Sequence, residues 1–213
     1  MTGATGGALP RIGILISGGG SNMAALVAAM QSGAVPATPA LVIADRAEAG
    51  GIARGQALGV PVTTLAFRGF PDRAAFETAL DAALRAARVD LVCLAGFMRI
   101  LSPGFVAGWQ GRMLNIHPSL LPLFPGLNTH ARVLEAGMAV HGATVHQVTA
   151  DLDAGPILGQ AVIAVRAGDT ADRLAARLLP MEHRLYPAAL AHLLRGGVDP
   201  IALLEAGCGQ VQA

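Results

Sequence analysis

A chain of 213 residues with 53% hydrophobic and only 14% charged side chains can bury the core of one α/β domain and excludes extensive disorder. Its 15 basic and 14 acidic side chains leave a formal net charge of +1, which excludes a sequence-wide field for nucleic acid or anionic lipid. Mean hydropathy is +0.53, yet the most apolar runs, 41–44 and 91–96, are strand-sized and far too short to span a membrane.

Residues 1–10 carry neither the cationic start nor the apolar stretch of a secretory signal, so a frayed end and a cytoplasmic setting are expected. Arg11–Ile16 predicts a short buried strand, followed by a glycine loop and a helix over about 22–31. A second strand is expected at 40–44, a helix at 46–58 stopped by Gly59, and a third strand at 60–63. Over 72–88 the spacing of Phe76, Leu80 and Leu84 predicts one apolar helix face, with Asp72 as its N-cap. Residues 90–94 predict a fourth strand, with Cys93 as a reduced core residue. Strands alternating with helices, and apolar runs that are continuous, indicate a parallel sheet covered on both faces.

From residue 95 the rhythm changes. The segment 95–128 is rich in Gly, Pro and Asn, with a short strand at 112–116 and then a Pro-laden loop. A helix at 129–136 precedes two antiparallel strands, 141–148 and 157–165, joined by the loop TADLDAGP. The last helical segment, 171–194, contains Pro180 and Pro187, which predict a kink or a break. Residues 196–213, including Cys208, read as a tail without functional signal, and two cysteines make no disulfide framework or zinc knuckle.

Three places carry chemistry. The turn SGGGSN at 17–22 joins a strand to a helix, where glycines permit close backbone approach and free N–H groups favour an anion. The dinucleotide fingerprint fails at Met23 and the Walker pattern lacks its Gly-Lys pair, although Asp45 at a strand end leaves a dinucleotide reading open. A phosphate site or a plain tight turn remain. Asn115 and His117 lie two apart on an extended segment, so an amide and an imidazole share a face; a loop histidine bonded to nearby backbone is the plainer alternative. Asp153 sits in a polar loop shaped by Gly155 and Pro156, beside Asp151, the better candidate for an ordinary Asx-turn. Spacing alone does not join Asp153 to His117. His146 borders this face or belongs to the core, whereas His130, His141, His183 and His192 read as surface. No histidine pair has metal-ligand spacing and no G-x-S-x-G elbow occurs, so neither a metal nor a hydrolase nucleophile is expected.

Taken in order, SGGGSN, LAGFMRILSP (94–103), LNIHPSLLPLFPG (114–126), HGATVHQV (141–148) and LDAGPI (152–157) closely resemble the glycinamide ribonucleotide formyltransferase family over about residues 11–192. The resemblance implies one formyltransferase-fold domain with two short tails, 1–10 and 196–213. Within it, a Rossmann-like half at about 11–110 would bind the nucleotide phosphate, and a half at about 111–195 would carry catalysis and folate. The fold class is then α/β, a mostly parallel sheet with helices on both faces and an antiparallel C-terminal strand pair. Gly20, Ser21 and Asn22 would hold the substrate phosphate and ribose, and Glu182 would meet the same nucleotide. Arg73, Met98, Arg99, Ile100 and Leu101 would line the folate pocket, with Thr149, Ala150, Asp151, Leu152 and Asp153 closing on the pterin. Asn115, His117 and Asp153 match the family's catalytic trio, and Asn115 also faces the folate.

The chemistry that this resemblance implies suits those residue types. The amine of glycinamide ribonucleotide attacks the formyl carbon of 10-formyltetrahydrofolate, so no Ser or Cys nucleophile is needed. Asn115 and protonated His117 would donate hydrogen bonds to the oxyanion, and Asp153 would pair with His117 and position water for proton transfer. Three positions depart from the family pattern: Gly19 replaces a polar residue, Asn128 stands where histidine is common, and Pro180 interrupts the helix near Glu182. A deformylase acting on 10-formyltetrahydrofolate would carry an N-terminal regulatory domain, and a formyltransferase for initiator tRNA a basic C-terminal one; neither is expected here. A non-catalytic nucleotide-binding module is the alternative of another class. Partners are expected to be small molecules, with the chain a monomer or a weak homodimer through the apolar ends of its long helix.

Overall fold

In β1 (Arg11–Ile16) successive side chains leave opposite faces of a sheet, so Ile12, Ile14 and Ile16 enter one core and Leu15 enters another. Gly13 shares the face of Leu15, where an added Cβ would come within 2.8 Å of Leu84 Cδ2. The computed structural model describes residues 8–206, and its elements follow this two-sided plan. They are α1 (Ser21–Gln31), β2 (Thr38–Ala44), α2 (Gly51–Ala57), β3 (Val62–Thr64), a 3₁₀ turn at Phe67–Gly69, α3 (Arg73–Ala86), β4 (Leu91–Leu94), α4 (Pro103–Gly108) and β5 (Met113–His117). Then come α5 (Thr129–Glu135), β6 (Val140–Gln147), β7 (Ile157–Ala164), α6 (Ala171–Leu194) and β8 (Ile201–Leu204).

The eight strands form one sheet in the order β3-β2-β1-β4-β5-β6-β7-β8. Among the described residues β6 alone runs against its neighbours; every other adjacent pair is parallel. One face is covered by α1, α5 and α6, whose Leu26, Val133 and Leu185 pack on Ile14, Leu114 and Val145. The other is covered by α3 and α4, whose Phe76, Leu80, Leu84 and Phe105 pack on Leu15, Ile43 and Val92. The α/β class, the two covered faces and the antiparallel β6–β7 pair are as expected, and so are the Asp72 cap, which accepts from Ala75 N at 2.8 Å, and the buried thiol of Cys93.

Four expectations change. The helix expected from residue 46 starts at Gly51, because Gly51 N donates to Gly18 O at 3.0 Å and a Cβ there would strike the Ile16 side chain. Residues 46–50 therefore turn, bringing two glycines beneath the first loop. The short α4 was hidden by its Gly and Pro content, although Ser102 capping Phe105 N with Pro103 in the first turn is a helix start. The tail at 201–204 is a strand, β8, which pairs parallel to β7 across the α6 crossover. Finally, α6 runs unbroken through Pro180 and Pro187. Leu174, Leu178, Met181, Leu185 and Leu190 are buried along its length and hold it against the sheet despite the missing N–H groups, so these apolar side chains are committed to the core. Cys208 lies outside the described residues. No described helix is long and apolar enough to cross a membrane.

Candidate active site

β1 and β4 lie side by side, yet the chain leaves β1 into α1 on one face and β4 towards α4 on the other. Such a switch point opens a crevice at the strands' carboxyl ends. Ser17 N donates to Gly96 O at 3.1 Å and Met98 N donates to Ser17 Oγ at 2.8 Å, which ties the two loops together there. Gly20 caps α1 with a φ of 68°, and a Cβ would sit 2.9 Å from Gly51 Cα, so this position requires glycine. Gly18 and Gly19 face open space. Ser21 opens α1, and Asn22 beside it is buried, donating from Nδ2 to Glu182 Oε2 at 2.7 Å while its Oδ1 has no partner. Burial pushes the Glu182 carboxyl above its usual range, against the hydrogen bond from Asn22. Asn22 and Glu182 line a cavity of about 340 Å³ with Met98, Ile116, Pro118 and His130.

Ile116 and Pro118 bracket His117, so this cavity adjoins the end of β5. Asn115 and His117 leave one face of β5, and the antiparallel register sets His146 opposite Asn115 and Thr144 opposite His117. The loop after β6 begins at the far end of β5, where Val148 N donates to Met113 O at 2.8 Å. It then doubles back, and Asp153 Oδ2 comes within 3.4 Å of His117 Nδ1, both side chains being 8% exposed. Gly155 permits the reversal, since a Cβ would strike the Gln147 carbonyl. Asp153 itself has a φ of 53°, and its Oδ2 accepts from Gly126 N at 2.9 Å. His117 Nε2 lies 3.1 Å from Phe124 O; a carbonyl only accepts, so that nitrogen carries its hydrogen. The Pro-laden loop thus supports both partners through its backbone. It is held in turn by Thr144, which donates to Ser119 O at 2.7 Å and accepts from Leu121 N at 3.0 Å.

The residues expected around folate separate into several groups. Met98 and Ile100 are exposed, as are Thr149, Ala150, Asp151 and Leu152 in the loop that carries Asp153. Leu101 is buried in the α3–α4 core, and Arg73 is exposed on the first turn of α3, where it makes none of the contacts above. The Arg99 side chain turns to Asp45, with Nε 2.6 Å from Oδ2, and lies over the Phe67 ring at 4.2 Å. Asp45 Oδ2 is taken by that pairing and the carboxylate is buried, its Oδ1 without a partner, so it is not presented at an open surface as a ribose acceptor would be. Among the described residues, five of the eight exposed large apolar side chains, Met98, Ile100, Leu123, Leu127 and Leu152, stand on the three loops around the trio, as an open apolar binding wall requires.

Sequence reasoning missed two histidine contacts. His146 is buried and bonds Asn115, with Nε2 3.2 Å from Asn115 Nδ2. His141, expected at the surface, is 1% exposed and lies 2.8 Å from His130 Nδ1 through its Nε2. Period-2 alternation along β6 was the available signal, because it puts 144 and 146 on one face and 141, 143 and 145 on the other. Among the described residues no cluster of three or more His, Cys, Asp or Glu forms a metal site.

Residues 10–190 match the formyl transferase family model. A solved phosphoribosylglycinamide formyltransferase from Brucella melitensis is 52% identical, with a TM-score of 0.84 over 90% of this chain and 99% of that one. The phosphoribosylglycinamide formyltransferase of Escherichia coli is 43% identical over 183 residues, 86% of each chain. The trifunctional purine biosynthetic protein adenosine-3 of Bos taurus is 45% identical over 188 residues, and there the match spans 88% of this chain but only 19% of that protein. With its switch-point crevice and its Asn115–His117–Asp153 cluster, this chain belongs to the formyl transferase family.

Proposed function

We propose that the chain transfers the formyl group of 10-formyltetrahydrofolate to the amine of glycinamide ribonucleotide, a step of purine biosynthesis. One observation carries the reading: an amide and an imidazole on β5 meet a carboxylate from the loop after β6, beside the cavity that Asn22 and Glu182 line. The names of the relatives from Brucella and Escherichia support the nucleotide as acceptor.

The nucleotide's phosphate lies at the first turn of α1, against Gly20 and Ser21, and its sugar lies towards Asn22 and Glu182. The folate lies against the apolar loops that bear Met98, Ile100 and Leu152. The amine attacks the formyl carbon, and the carbonyl oxygen becomes an oxyanion. Asn115 uses one amide hydrogen on His146 and keeps a second for that oxygen. His117 is anchored through Nε2 on Phe124 O and presents Nδ1 to the gap before Asp153, where a proton serves as the second donor. Asp153 accepts, through water, the proton that the amine releases. The C–N bond to the folate breaks, its nitrogen takes up a proton, and the formylated amine and tetrahydrofolate result.

The test is to incubate the protein with 10-formyltetrahydrofolate, with and without glycinamide ribonucleotide. Folate turnover that depends on the nucleotide and yields its formyl derivative is the expected result. Turnover without the nucleotide would make the protein a deformylase, and no turnover would make it a binding module.

A further inference from the structure

We infer that His146 is a positioning residue for the transfer reaction, fixing the Asn115 amide with its N–H groups, rather than its oxygen, available to the oxyanion. The inference rests on the proposed transfer for its kinetic readout, and on hydrogen-bond geometry and the burial of the ring for its structural one.

The tautomer follows from the neighbours. His146 Nδ1 lies 2.9 Å from Gln147 O, which can only accept, so Nδ1 carries a hydrogen. Burial disfavours the charged ring and outweighs both the Gln147 hydrogen bond and the pull of Asp153, which acts from 3.8 Å, beyond hydrogen-bond reach. A neutral ring with its hydrogen on Nδ1 has a lone pair on Nε2. The atom 3.2 Å from that lone pair must therefore be a donor, which makes it the amide nitrogen of Asn115 and excludes the amide oxygen. The oxygen is turned away, and the second amide hydrogen is left free. The β6–β7 register shifts beside it: Val145 pairs with Gly159 and His146 with Ile157, so the extra residue, Leu158, lies on β7. Without an acceptor at 146 the amide is free to rotate by half a turn, and its oxygen then faces the developing negative charge.

Three measurements test this. His146→Phe keeps a planar ring but no acceptor, and kcat is expected to fall about 10- to 100-fold, the range for losing an aligned donor, with both KM values little changed. His146→Gln, whose amide oxygen can accept from Asn115, is expected to recover most of that loss. In an Asn115→Ala background, read under single turnover, His146→Phe is expected to cost no more than about twofold, because the group it positions is gone. An equal loss in both backgrounds, or unchanged kcat in His146→Phe, would overturn the inference. Nitrogen-15 NMR of the histidine-labelled protein reads the tautomer independently of activity and of whether His146→Phe folds. One ring with a protonated Nδ1 and an unprotonated Nε2, absent from His146→Gln, is expected; a protonated Nε2 at His146 overturns the inference. Failure of the wild type to use glycinamide ribonucleotide would instead refute the transfer reading and leave the NMR outcome standing.

Discussion

Asp153 holds a left-handed backbone with a φ of 53°, which costs a non-glycine residue about 1–3 kcal/mol. What this conformation secures is a carboxylate placed between Gly126 N at 2.9 Å and His117 Nδ1 at 3.4 Å. Asp153→Asn keeps the shape and, through its amide oxygen, the bond from Gly126, so unfolding should be near normal. The charge facing His117 is lost, and turnover is expected to fall roughly 100-fold or more. Near-wild-type turnover beside a normal melt would remove Asp153 from the chemistry. Glu182 presents the converse case. Burial raises its pKa above 4.5, so folding favours its protonated form. The stability it contributes is complete below pH 4.5 and is lost as pH rises through the raised value. At neutral pH the buried charge is a cost that Glu182→Gln removes while still accepting from Asn22. That variant should melt higher than the wild type at pH 7, with the gap closing towards pH 4, and should bind the nucleotide at least about 10-fold more weakly. A lower melting point at pH 7 would show that the carboxylate is stabilised by something else.

Among the elements, α6 shows tertiary packing overriding local preference. Pro180 is exposed within a helix of 24 residues, and it cannot supply the N–H that would reach the carbonyl of Ala176. Pro180→Ala restores that bond while giving the unfolded chain slightly more freedom, for a net gain of about 1–2 kcal/mol. Thermal unfolding should shift upward by roughly 2–8 °C. No shift would mean that the helix is already relaxed around the proline. The sequence could not reveal this continuity, because the side chains against which α6 packs lie on strands distant in the chain. The same reason hides β8, whose four residues form a strand only once β7 offers an edge. By contrast, β1, α1, α3 and β4 were legible, because their apolar spacing is complete within each segment. In the site, Asn115 and His117 could be read as neighbours from strand geometry, whereas Asp153 comes to them through a loop reversal that no spacing encodes. The acceptor role of His146 becomes visible only after the β5–β6 register is known.

Over the whole molecule, the histidines set the response to acid. His130, His141, His146 and His183 are all held below the ordinary imidazole range, in each case chiefly by burial. His141 is the extreme, pushed down to about 4, with His130 and His117 adding repulsion. A base whose folded pKa is depressed leaves the folded state with fewer protons than the unfolded chain, so stability is complete above about pH 6.5 and drains away as pH falls towards 4. The Arg85 hydrogen bond depresses Asp81 from 3.8, which places that carboxylate's own loss below this window. Glu182 acts in the opposite sense and offsets part of the histidine effect above pH 4.5. Denaturant unfolding between pH 4 and 7 should therefore show stability falling steadily towards the acid end, more steeply in Glu182→Gln than in the wild type. His141→Gln, with no ring to protonate, should flatten the profile. If it leaves the slope unchanged while remaining folded at pH 7, the buried His130–His141 pair is not what makes the fold sensitive to acid.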